Sequence, residues 1–223
     1  MAVSCATGPT FPSPRSWSCN PSATSATDVV EFFRSPFDGT YPVGNLFDHD
    51  KPLGSDDPAA RVVTLCGLTV KGQVNGHNGY DYAMPEGTVL RAAAGGTVLY
   101  AGLEPPSFCP GLNTTVQALL VEIQHAAPDG GVYVSVYGHL SRIDVSDGQV
   151  MAESEPIGLS GNTGCSGSPH LHFGVFRRAL SGSYVVLDPY GWHATGEDPW
   201  EIDARGTRSP WMWRAGAAPP LTR

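Results

Sequence analysis

Imidazole and apolar side chains alternate through His170, Leu171, His172 and Phe173, and this alternation constrains the fold more than any other stretch of the chain. In an extended strand, side chains at i and i+2 share a face, so the two histidines lie on one side and Leu171 and Phe173 on the other. One face offers ring nitrogens to a ligand, and the opposite face offers bulk to a core. A lone His-x-His also describes two exposed histidines on an ordinary strand. The pattern gains weight from His77 and Asp81, four positions apart, and from His139, which follows another strand-like run.

Further strand signals surround these residues. Arg61–Cys66, Thr88–Ala92, Gly96–Ala101, Leu119–His125 and Val132–Tyr137 are short runs rich in β-branched and aromatic residues. The last two are split by Pro128-Asp-Gly-Gly131, which predicts a hairpin. The 27 Gly and 20 Pro, with only 15% charged residues, fit a turn-rich, mostly β chain better than a helical bundle. Asp28–Arg34 alone predicts a short helix. Glu86–Ala92 followed by Gly95–Val98 is echoed by Asp147–Ala152 followed by Glu155–Gly158. Two copies of a strand-turn-strand unit predict a sandwich- or barrel-like sheet assembly.

Residues 1–34, rich in Ser, Pro, Thr and Ala, read as an extended or loosely ordered lead-in. Residues 35–190 read as the globular domain, with 102–118 as an exposed insertion loop. Residues 191–223 form an extension in which Trp192, Trp200, Trp211 and Trp213 are expected to pack on that domain rather than form a sugar platform. Cysteines stand at 5, 19, 66, 109 and 165, with no C-x-x-C pair of the zinc-knuckle type. Disulfides in an oxidising compartment are expected, with Cys66 left over as a buried thiol.

Composition also excludes partners. The formal net charge of −8 argues against a nucleic-acid surface, and Lys51 and Lys71 are the only lysines, so no polybasic membrane patch forms. No apolar run approaches the ~20 residues that cross a bilayer, so a soluble protein is expected. The charged and apolar regions of a signal peptide are not read in this chain.

An open zinc site needs three protein ligands and a free position, with mixed His and carboxylate ligands common. Gly79, between His77 and Asp81, lets the backbone bend so that both face one ion. Taking His172 as third ligand gives two imidazoles and a carboxylate. His170 shares the strand face of His172, and His139 ends a strand where site residues converge. Two neutral histidines beside such an ion serve as general base and as donor to an oxyanion or leaving amine. His125 ends a strand before a turn and is read as structural, His49 and His193 as surface or loop residues, and Asp188-Pro189 as a strand exit.

Five segments together resemble the LytM/lysostaphin-type zinc metalloendopeptidases of bacteria: His77–Pro85, Ala92–Val98, Tyr137–Leu140, Ser160–Gly164 and Pro169–Phe173. The likeness covers roughly Ser35 to Pro189. It implies an antiparallel β-sheet groove of that catalytic-domain type, a duplicated hybrid motif of barrel-sandwich character. It further implies one Zn2+ per chain held by His77, Asp81 and His172, with His139 and His170 as the catalytic pair. The implied activity is hydrolysis of peptide bonds in peptidoglycan cross-links or stem peptides, in a secreted or cell-envelope location, either periplasm or cell wall. A monomer is expected, or one part of a larger multidomain protein. Ser168 departs from the Gly commoner before Pro, and the 102–118 loop carries extra Pro and Cys. In some members an upstream Asn covers the metal; neither Asn20 nor Asn45 is assigned that role.

Three alternatives remain to be weighed. A non-catalytic wall-binding or amidase-activating relative usually lacks a ligand, and this chain lacks none. A zinc protease acting on non-wall proteins would carry the same site. A lipoyl or biotin carrier needs a lysine at a hairpin tip, and Lys51 and Lys71 both lie outside the repeat.

Overall fold

Short β-branched runs separated by Gly and Pro fold into strands and almost nothing else. The computed structural model describes residues 21–52 and 61–222, so Cys5 and Cys19 lie outside it. In chain order come β1 (Val29–Phe33), β2 (Val43–Asn45), β3 (Val62–Val63), β4 (Thr69–Val70), β5 (Tyr80–Ala83) and β6 (Val89–Arg91). Then follow β7 (Gly96–Leu103), β8 (Ser107–Cys109), β9 (Thr114–Val116), β10 (Leu119–Ala126), β11 (Val132–Leu140) and β12 (Arg142–Ile143). Last are β13 (Val150–Met151), β14 (Pro156–Leu159), β15 (His170–Arg178), β16 (Tyr184–Leu187), the short helix α1 (Pro199–Ile202) and β17 (Trp211–Trp213).

The main sheet runs β13-β7-β10-β11-β15-β5-β2, with β16 paired to the second half of β15. Its pairings are antiparallel. The expected β10–β11 hairpin closes through Gly130, whose φ of 78° suits glycine. The internal repeat has a structural meaning. Strand β6 of the first copy pairs with β14 of the second, and β7 pairs with β13. Each copy thus completes the other's sheet, in a reciprocal exchange.

The apolar face of β15 enters the core as expected. Leu171 and Phe173 are fully buried. The Phe173 ring meets Tyr137 at 5.4 Å and Trp213 at 5.8 Å, and Trp213 meets Phe33 at 5.9 Å. Burying one such phenylalanine is worth roughly 1.5–3 kcal/mol. Trp213 arrives on β17, which pairs in parallel with β1, so segments from both flanks back the strand that carries the two histidines. Trp200 is fully buried too, and its indole N–H donates to the Val186 carbonyl (2.7 Å).

Three expectations are corrected. Within residues 28–34 the chain forms strand β1 (Val29–Phe33) rather than a helix: Val30, Phe32 and Phe33 are buried while Val29 and Glu31 are exposed, and β17 supplies a partner. Tertiary pairing here overrides local propensity. Cys66 is disulfide-bonded rather than a free thiol. His49 is not a surface residue but fully buried, with Nδ1 2.9 Å from Asp198 and Nε2 3.0 Å from Asp188. Asp188, at the exit of β16, also accepts from the Tyr80 hydroxyl (2.8 Å) and the Tyr190 amide (2.7 Å). His193 is a half-buried loop residue bonded to the Tyr190 carbonyl and the Ser25 hydroxyl. The 102–118 insertion is largely exposed and holds the β8–β9 hairpin, with Cys109 bonded to Cys165.

Candidate functional site

Sheet register builds the site. His172 on β15 lies directly beside Asp81 on β5 and beside Gly138 on β11. Direct cross-strand neighbours share a face, so the carboxylate and the imidazole project together. His77 enters from the turn before β5. Gly79 makes that turn possible: a Cβ there would stand 2.5 Å from the Phe173 carbonyl and 2.9 Å from the His172 ring.

The three donor atoms form a nearly equilateral triangle. His77 Nε2 is 3.0 Å from Asp81 Oδ1 and 3.1 Å from His172 Nδ1, and His172 Nδ1 is 3.0 Å from Asp81 Oδ1. These spacings resemble those of ligands around a first-row ion bound at about 2.0–2.1 Å. The donor chemistry agrees. His77 Nδ1 donates to the Leu46 carbonyl (2.9 Å), so a neutral ring presents a lone pair at Nε2. Burial works to raise the Asp81 pKa, but His77 and His172 outweigh it and hold the carboxyl well below the usual carboxylate range. An anionic oxygen and two ring nitrogens converging on one point fit a cation.

A supporting shell surrounds the triangle. Asn45 on β2 donates from Nδ2 to Asp81 Oδ2 (2.7 Å), while its Oδ1 accepts from the Val74 amide (3.2 Å). Asn45 therefore turns its amide N–H, not its oxygen, toward the site. Gln73 fixes the same segment, accepting from the Leu46 amide and donating to the Gly44 carbonyl. The Asp48 amide donates to the His77 carbonyl (2.9 Å).

The second histidine pair lies alongside. His170 Nε2 is 3.5 Å from Asp81 Oδ1, and the His139 ring is 4.6 Å from His170 and 6.1 Å from His172. His139 Nδ1 donates to the Thr163 carbonyl (2.7 Å) and His170 Nδ1 to the Ser168 carbonyl (2.8 Å). Both rings consequently keep Nε2 as the acceptor when neutral. Burial, with His170 and His172 nearby, pushes the His139 pKa down to about 4. His139 has a φ of 65°, a left-handed conformation uncommon for a residue with a side chain, and it lies one residue before the end of β11, where the register with β10 shifts. His77 and Asp81 are buried, whereas His139, His170 and His172 keep a small exposed fraction, so the cluster opens on one side.

The structure thus brings together His77, Asp81, His172, His170 and His139. His125 stands apart, buried between the Gly95 carbonyl (2.9 Å) and the Ser135 hydroxyl (2.8 Å). Sequence reasoning did not assign Asn45, or the carbonyls of Leu46, Thr163 and Ser168. Backbone carbonyls leave no side-chain signature, and Asn45 lies 36 positions from the carboxylate it holds.

The chain is 38% identical over 102 residues to the peptidoglycan DD-endopeptidase ShyA of Vibrio cholerae, covering 46% of this chain and 20% of that protein. It is 38% identical over 97 residues to the DD-carboxypeptidase/endopeptidase Mpg of Neisseria meningitidis, 44% of this chain and 19% of that one. The chain thus spans about a fifth of the length of these curated relatives. The catalytic domain of the peptidase lysostaphin from Staphylococcus simulans superposes with a TM-score of 0.45 at 27% identity, over 67% of this chain and 89% of that domain. Residues 75–185, which carry all five clustered side chains, match the model of peptidase family M23, and this segment of the chain is a domain of that family.

Proposed function

We propose that the chain is a zinc metalloendopeptidase that hydrolyses peptide bonds in peptidoglycan cross-links or stem peptides. The observation that carries this reading is the triangle of His77, Asp81 and His172 with two further histidines at its open side. The name of ShyA, a peptidoglycan DD-endopeptidase, supports the substrate class, and that of Mpg, a DD-carboxypeptidase/endopeptidase, supports the reaction.

In this reading His77, Asp81 and His172 hold one zinc ion. Bound zinc supplies Lewis acidity at a peptide carbonyl and makes water acidic near neutral pH. His139 and His170 do the proton work, their Nε2 atoms accepting a proton from water and returning it to the leaving amine. Once protonated, either ring also donates to a developing oxyanion. Asn45 keeps Asp81 aimed by occupying its outer oxygen. The Cys109–Cys165 bond supports an oxidising location, at the cell surface or in the envelope. No helix among the described residues is long and apolar enough to cross a membrane.

The test is mass spectrometry of fragments released from defined cross-linked muropeptides, alongside metal analysis of the purified protein. One zinc per chain is expected, with cleavage that stops under a chelator and returns with zinc. A protein that takes up no metal, or a zinc-loaded protein that leaves every muropeptide intact, overturns the reading. Asn45→Ala is expected to weaken zinc binding by ~10- to 100-fold, as loss of a partner to a ligating carboxylate does. Competition with a chromogenic chelator measures it, and an affinity within twofold of wild type would remove Asn45 from the site.

A further inference from the structure

Both histidines of the proton-transferring pair take their orientation from one loop, Gly161–Pro169. Thr163 supplies the carbonyl that holds His139 Nδ1, and Ser168 supplies the one that holds His170 Nδ1. Ser166 reinforces the second contact, its hydroxyl lying 3.2 Å from His170 Nδ1, 3.0 Å from the Ser168 carbonyl and 2.5 Å from Asn162 Oδ1. A chain with Gly161, Gly164 and Gly167 in so short a stretch is costly to hold still by its own preferences.

What holds it is the 109–119 segment. The Leu119 amide donates to Thr163 Oγ1 (3.0 Å), which in turn donates to the Leu140 carbonyl (2.8 Å). Gly164, at φ 78°, packs so closely on Ala118 that a Cβ would stand 2.6 Å from the alanine methyl. Between the two carbonyl-bearing residues sits Cys165, itself exposed, bonded to the buried Cys109 of the β8–β9 hairpin. None of these ties reaches His77, Asp81 or His172.

We propose that the Cys109–Cys165 disulfide is a positioning element of the reaction: by pinning the middle of the 161–169 loop to the β8–β9 hairpin, it holds the Thr163 and Ser168 carbonyls that set the tautomers of His139 and His170. The inference rests on the peptidase reading of these two histidines. Its physical content is that a displacement of about 1 Å at a proton-transferring group costs on the order of 100-fold in rate. The metal triangle is held by other elements, so zinc occupancy stays independent of the bond.

The experiment compares the zinc-loaded wild-type protein with the Cys109→Ser/Cys165→Ser double variant and with Thr163→Ala and Thr163→Ser. Each is tested by muropeptide turnover, zinc content and nitrogen-15 spectra of the histidine rings, which report the tautomer directly. The double variant is expected to keep one zinc per chain and a KM within about threefold of wild type. Its kcat is expected to fall ~10- to 100-fold, with His139 and His170 both losing their pure Nδ1–H signature. Thr163→Ala, which keeps the disulfide but frees the first half of the loop, is expected to alter the His139 signal alone, and Thr163→Ser to restore it. A folded double variant with unchanged tautomers and kcat overturns the proposal. So does one that fails to fold or loses zinc, because the bond is then a fold-wide staple. If wild type cleaves no muropeptide while the ring spectra respond as described, the peptidase reading fails and the positioning of the rings stands.

Discussion

Replacing His77 with alanine is expected to lower zinc affinity by more than ~100-fold and to abolish cleavage of muropeptides. Losing a mere supporting contact to a ligand costs 10- to 100-fold, and His77 is one corner of the triangle itself. The two donors that remain, Asp81 and His172, lie on neighbouring strands and offer only one carboxylate and one imidazole. His139→Ala is the contrasting variant, because its ring touches the site from the other side without belonging to the triangle. It is expected to keep one zinc per chain and to lose ~100- to 10,000-fold in kcat, the range for a general acid or base. Metal analysis after dialysis, with circular dichroism to confirm the fold, separates the two. If dialysed His77→Ala retained a full equivalent of zinc, the ion would have to sit elsewhere and the assignment of this triangle would be lost.

The second large effect concerns stability and lies away from the site. Replacing His49 with alanine is expected to cost about 3–5 kcal/mol, the usual penalty for removing one partner of a buried charged group. Its two nitrogens meet Asp188 and Asp198 in a fully buried position, against the rings of Trp192 and Phe47. Asp198 Oδ2 already lacks a partner among the described residues, so the substitution leaves both carboxyl groups short of donors. Burial alone would lower the His49 pKa, but hydrogen bonds and charge from Asp188 and Asp198 overcome it and raise the value to about 9.

A folded-state pKa above the unfolded value of about 6.5 means the native state binds the proton more tightly. The stabilisation is complete below pH ~6.5 and is lost as pH rises through 9, amounting to about 3 kcal/mol for a shift of this size. His125 behaves in the opposite sense. Burial pushes its pKa down to about 4, so its contribution is present above pH ~6.5 and disappears as pH falls toward 4. Urea midpoints of wild type are therefore expected to fall between pH 6.5 and 9.5, and those of His49→Ala to lose that alkaline decline. A variant that keeps the decline, or a wild type that is flat over this range, would show that His49 does not carry a trapped proton.

Much of the candidate site was legible because its spacing is local. The i, i+2 pair of His170 and His172 needs only an extended backbone to share a face, and Leu171 and Phe173 supply the reason for that strand to be buried on its other side. The His77–Asp81 spacing likewise needs only the turn that Gly79 permits. The repeat at 86–98 and 147–158 was visible as composition, but the pairing of β6 with β14 and of β7 with β13 joins strands some 50 to 70 positions apart and is seen only in the folded chain. Residues 28–34 resemble a helix locally for the converse reason. Their inward pattern depends on β17, some 180 positions away, and nothing local announces that partner.

Spacing, alternation and residue type by themselves determined the mostly β architecture, the five side chains of the cluster and the division between a histidine-bearing and a core-facing side of one strand. The tertiary structure alone decided which atoms of those side chains face inward, because that depends on carbonyls of Leu46, Thr163 and Ser168 that every residue possesses. It likewise decided the fate of His49 and the pairing of Cys109 with Cys165. A buried charge and a covalent bond are both settled by what lies within a few ångströms in space, and neither partner is near in the chain.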